Sequence, residues 1–121
     1  ALRSVNLIGT GAPVFAGFPV AVSGKTGTGQ VVGKNPNGSP FDDISWYASY
    51  APSDKPDYVV VMVVSQGGFG ATSSAVGVKD IYTALFGVSG GRANPQLSVY
   101  PNGYPTSLPK INTRMSSLPK P

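Results

Sequence analysis

The chain has 121 residues, no Cys, no His and a formal net charge of +4. That length holds at most one domain, and the missing residue types exclude a disulfide framework, thiol chemistry, a Ser–His catalytic pair and His-ligated zinc. Residues 1–86 carry five basic and five acidic residues, so the whole excess lies in Arg92, Lys110, Arg114 and Lys120, which are scattered without aromatic interleaving and make no nucleic-acid footprint.

Leu2, Val5 and Ile8, followed by Gly9 and Gly11, predict the last turns of a helix stopped by glycine. The chain shows no signal peptide, and its longest apolar run, Val59 to Val64, is too short for a bilayer. A chain that opens inside a helix is expected to be cut from a longer protein. Ser4-Val5-Asn6 formally matches a Ser-x-Asn element, but it falls in the helix end and is set aside. Gly9 to Pro19 reads as a loop whose Phe15 and Phe18 plug a sheet edge. Pro19 suits a strand start, so strand one is predicted over Val20–Thr28.

The end of that strand, Ser23-Gly24-Lys25-Thr26-Gly27-Thr28-Gly29, has no apolar use. Lys25 offers a fixed charge and three donors. Thr26 and Thr28 are two apart, so their hydroxyls share one side. Gly24 and Gly27 remove bulk and let another backbone lie close. Such an edge suits an extended peptide that ends in a carboxylate.

Gly29 to Pro40 is a turn-rich connection, with Lys34 read as a solvated loop residue. Strand two is predicted at Ile44–Ala51, with Ile44, Trp46, Ala48 and Tyr50 forming a large apolar face. Pro52 to Asp57 is a turn, and strand three, Tyr58–Val64, is apolar on both faces and antiparallel to strand two. Thr72 or Ser73 is the expected N-cap of a helix over Ser74–Phe86. Ala71, Ala75, Val78, Ile81, Tyr82 and Leu85 form its apolar stripe, which covers one face of the sheet. The face left bare, assigned to Tyr58, Val60, Met62 and Val64 or their neighbours, calls for protein outside this chain. Gly87 to Pro121 reads as a separate Pro-rich tail, extended and without regular structure from about Asn94. Ser107-Leu108-Pro109-Lys110 and Ser117-Leu118-Pro119-Lys120 match Ser-x-x-Lys formally. Their prolines and surroundings carry no helix on which the serine and lysine would meet.

The Lys25-Thr26-Gly27 stretch resembles the Lys-Thr-Gly motif of penicillin-binding proteins and serine β-lactamases. The likeness extends through Gly9-Thr10-Gly11, Phe18-Pro19, Gly24 to Gln30 and the aromatic-rich Asp43 to Pro52, and so over residues 1 to about 86. On that basis residues 1–86 resemble the C-terminal portion of the transpeptidase domain of class B penicillin-binding proteins, with 87–121 as an appended basic tail. The resemblance implies an α+β fold in which three antiparallel strands and a C-terminal helix complete a β-lactamase-like sheet. It also implies a D,D-transpeptidase that cross-links peptidoglycan stem peptides through a serine acyl-enzyme and is acylated by β-lactams. Lys25 and Thr28 would be catalytic, Lys25 by bonding a serine of the second motif and Thr28 through its backbone N–H in the oxyanion hole. Thr26, Gly27 and Thr28 would bind substrate.

No metal or cofactor is implied. The implied partners are the Ser-x-x-Lys and Ser-x-Asn segments outside this chain, the stem peptide and β-lactams. The implied location is the extracytoplasmic face of the bacterial membrane. A D,D-carboxypeptidase, a β-lactamase-type hydrolase and a non-catalytic peptide-binding relative stay open as alternatives.

Overall fold

The computed structural model describes residues 1–105. Two short helices, α1 (Leu2–Leu7) and α2 (Ala12–Phe15), precede the strands β1 (Ser23–Gly29), β2 (Ile44–Ala51) and β3 (Tyr58–Val64). Helix α3 (Ser74–Phe86) follows, then a small hairpin of β4 (Val88–Ser89) and β5 (Arg92–Ala93). The main sheet is antiparallel in the order β1-β2-β3. The fold is thus the expected α+β arrangement, and β2, β3 and α3 begin and end at the expected residues.

β1 is shorter than predicted, starting at Ser23 rather than Val20. The preceding residues spend their carbonyls elsewhere. Ala21 accepts the Ser53 backbone N–H at 2.8 Å, and Val22 accepts the Asn6 side chain at 2.9 Å. Val20 to Val22 therefore ties β1 to α1 and to the β2–β3 turn instead of extending the ladder.

Of the two sets the sequence left open on β3, the first-named one is covered and its neighbours form the bare face. Ser45, Tyr47, Ser49 and Ala51 are buried under α3, whereas Trp46 is exposed. Polar bonds decide this parity. The Ser45 and Ser74 hydroxyls lie 2.7 Å apart, and those of Ser49 and Tyr82 3.0 Å apart. Each buried hydroxyl thereby meets a partner on α3, as buried polar groups require. Tyr47 pairs with Met62 and Ser49 with Val60, so Tyr58, Val60 and Met62 turn toward the core. Val59, Val61 and Val63 join Trp46 on the open face instead.

Ser73 holds the N-cap position of α3 without a capping bond from its side chain. Its hydroxyl goes to the Gly67 carbonyl, and the Ser74 backbone N–H donates to Ser45 Oγ at 3.2 Å. The sheet itself thus satisfies one of the orphan donors of the helix. Along α3, Ala75, Val78 and Tyr82 are buried as expected, but Ile81 lies at the rim and is exposed.

The chain beyond α3 is more ordered than expected up to Ala93. Gly90 and Gly91, at φ 57° and 73°, close the β4–β5 hairpin. A two-residue turn with both residues at positive φ matches strand twist, and glycine adopts it without strain. From Asn94 to Pro105 the chain has one 3-10 turn, Pro95–Leu97, and no strand. It lies back on the domain, with the Val99 N–H bonded to the Ala84 carbonyl and Ser98 Oγ to that of Leu85. Tyr104 packs on Tyr58 at 5.2 Å. The two Ser-x-x-Lys matches lie outside the described residues.

Candidate active site

β1 is an edge strand: it pairs with β2, and among the described residues no strand pairs with its other side. Thr26 and Thr28 stand opposite Tyr47 and Ser45, so they share the α3-bearing face. Lys25 and Gly27 stand opposite Ala48 and Trp46 and so belong to the open face. The strand brings all four predicted site residues to one edge, with the cation and the hydroxyls on its two sides.

Lys25 is exposed, and its Nζ donates to the Thr26 carbonyl at 2.9 Å. A Cβ at Gly27 would lie 3.3 Å from Trp46 Cβ, tighter than ordinary contact. Glycine keeps the strand flat there beside the indole. Thr28 is exposed and Thr26 half-buried.

Two turns crowd the hydroxyl side. A Cβ at Gly70 would lie 2.8 Å from the Gly27 carbonyl oxygen and 3.1 Å from Thr26 Cβ, so only glycine lets the β3–α3 turn come this close. From the other end of the chain comes Gly9-Thr10-Gly11. The Thr10 and Thr26 hydroxyl oxygens are 2.8 Å apart.

The turn that carries Thr10 is held by packing. A Cβ at Gly9 would meet the Val5 backbone at 2.9 Å, and one at Gly11 would overlap the Asn6 side chain. Asn6 is buried, donates to Val22 and accepts the Tyr47 hydroxyl at 2.6 Å. The Ser4-Val5-Asn6 match is therefore a structural clamp, in keeping with its rejection as a catalytic element. Asn6→Ala leaves both partners unsatisfied and is expected to cost about 2 kcal/mol. Thermal unfolding of the complete protein measures this.

Burial also pushes the Tyr47 phenol up to about 12, against the pull of its bond to Asn6. Ser23, Ser45, Ser49 and Ser74 are buried and hydrogen-bonded within the fold. Thr10 and Asn6 are the residues sequence reasoning left without a role. A hydroxyl between two glycines was the available signal for Thr10, but its partner is 16 residues away.

The described residues thus set an edge strand bearing Lys-Thr-Gly-Thr beside a helix-covered antiparallel sheet. The family model for the penicillin binding protein transpeptidase domain matches residues 1–83, and the chain belongs to that family.

Its similar proteins agree. It is 33% identical over 75 residues to the peptidoglycan D,D-transpeptidase MrdA of Haemophilus influenzae, a match covering 55% of this chain and 12% of that protein. It superposes on the crystal structure of Pseudomonas aeruginosa PBP2 with a TM-score of 0.63 and 26% identity, over 77% of this chain and 19% of that one. It also superposes on a chain of a peptidoglycan synthase complex with a TM-score of 0.59 and 33% identity, over 74% of this chain and 15% of that one. The chain thus spans less than a fifth of the relatives it matches.

Proposed function

We propose that the protein is a D,D-transpeptidase that cross-links peptidoglycan stem peptides through a serine acyl-enzyme, and that this chain supplies one wall of its active site. The observation that carries this reading is the edge strand β1, with Lys25 on one face and Thr26 and Thr28 on the other. Thr26 and Thr28 bind the terminal carboxylate of the donor peptide, as two neutral donors suit an anion. Gly27 lets the peptide lie along the strand as an added extended segment. The Thr28 backbone N–H is one oxyanion-hole donor, and a lost donor of this kind costs about two to three decades in rate. Lys25 bonds a serine of the second motif and keeps the site positive.

The nucleophile comes from a Ser-x-x-Lys helix beyond this chain. It attacks the peptide carbonyl, expels the terminal D-Ala, and a stem-peptide amine then takes the acyl group. The same protein packs on the open sheet face formed by Trp46, Val59, Val61 and Val63. Residues 1–86 form part of the catalytic domain and 87–121 are appended to it. The site works at the extracytoplasmic face of the bacterial membrane.

Fluorescent penicillin tests the reading. The complete protein is expected to carry a covalent label that survives denaturing electrophoresis and disappears when unlabelled penicillin is added first. A folded protein that stays unlabelled at saturating penicillin contradicts it.

A further inference from the structure

We infer that Thr10 is a positioning residue for the carboxylate-binding hydroxyl of Thr26, an inference that rests on the reading of β1 proposed above. The two oxygens are 2.8 Å apart, and either can donate. A bound carboxylate accepts only. It therefore draws the single Thr26 proton toward itself, and the bond between the threonines is left for Thr10 to donate. The result is a directed chain, Thr10 O–H to Thr26 Oγ1 and Thr26 O–H to the carboxylate, in which each bond polarises the next.

The supporting turn is built for placement. Gly9 and Gly11 pack against Val5 and Asn6, and the Gly11 and Ala12 N–H groups bond the Val5 and Gly9 carbonyls. Asn6 in turn is fixed to Val22 at the entry to β1 and to Tyr47 on β2. The turn and β1 thus share one anchor, and Thr10 keeps its distance from Thr26.

The test is penicillin acylation of the complete protein, with thermal melts confirming that each variant folds. Thr10→Val is expected to slow acylation about three- to tenfold, the worth of one neutral hydrogen bond. Thr10→Ser keeps the hydroxyl and is expected to stay near the wild-type rate. If Thr10→Val does not fold, Thr10→Ala serves as the variant without a hydroxyl.

Two further measurements separate positioning from a packing role. The Thr10→Val penalty is expected to shrink with a β-lactam methyl ester, whose neutral carbonyl is a weaker acceptor than a carboxylate, and to vanish in a Thr26→Val background. A wild-type rate for Thr10→Val overturns the inference, as does an equal penalty with the ester or in the Thr26→Val background. A wild-type protein that penicillin does not acylate overturns the transpeptidase reading itself, and this inference with it.

Discussion

Tyr47→Ala is expected to destabilise the complete protein by about 3–5 kcal/mol, the usual cost of deleting a large buried ring. Four elements meet at this side chain. The ring is fully buried and stacks on Phe15 of α2 at 5.7 Å, and its hydroxyl donates to Asn6 of α1. On β1, a Cβ at Gly24 would lie 2.6 Å from the same hydroxyl, so the strand bearing the site presses directly on it. On β3, its paired neighbour is Met62. Domains are stable by about 5–15 kcal/mol, so this one substitution removes about a fifth or more. The denaturant midpoint reads the loss.

Tyr47→Phe keeps the ring and isolates the hydroxyl. The buried phenol is pushed from the usual 10 up to about 12, so the folded state holds its proton more tightly than the unfolded chain. This contribution is complete below pH 10. It fades as the pH rises toward 12, at about 1.4 kcal/mol per unit. Wild-type melting temperatures are expected to fall between pH 10 and 12, and those of Tyr47→Phe to fall less over the same interval.

The limits of the sequence as a guide follow from the same contacts. β2, β3 and α3 were legible because alternation, a bounding turn and a 3.6-residue stripe each mark their element. The parity of the sheet was not. β3 is apolar on both faces, so hydrophobicity does not distinguish Val60 from Val61. What decided it was Ser45 and Ser49, whose hydroxyls find Ser74 and Tyr82 across the sheet–helix interface. Those are contacts between residues about 30 apart, invisible to any local pattern. Val20 to Val22 looked like strand for the converse reason: its composition suits a ladder, but distant Asn6 and Ser53 take its carbonyls.

Gly90-Gly91 was a readable signal hidden in a segment whose overall composition suggested no structure. At the candidate site, Lys25, Thr26, Gly27 and Thr28 were legible as one stretch because strand geometry alone puts both hydroxyls on one side. Thr10 was legible only as part of a resemblance, since its place beside Thr26 depends on the Asn6 clamp.

Thr26→Val is expected to slow penicillin acylation of the complete protein about 10- to 100-fold. A hydrogen bond to a charged acceptor is worth about 1.5–3 kcal/mol, and the added methyl replaces the hydroxyl at nearly constant volume. Thr26 is half-buried at the strand edge, so the fold and its melting temperature should change little. Lys25→Ala is expected to slow acylation at least about tenfold through the lost charged bond to the second-motif serine. The two effects differ in kind: the Thr26→Val penalty is expected to be smaller with the methyl ester, a neutral acceptor, whereas the Lys25→Ala penalty persists in full. Rates of covalent labelling with both ligands provide the check.

The most direct measurement is a crystal structure of the complete protein acylated by benzylpenicillin. The carboxylate is expected within hydrogen-bond reach of the Thr26 and Thr28 hydroxyls, the acyl oxygen on the Thr28 backbone N–H, and the ligand extended along the free edge of β1. A covalent complex whose carboxylate lies away from both threonines would contradict it.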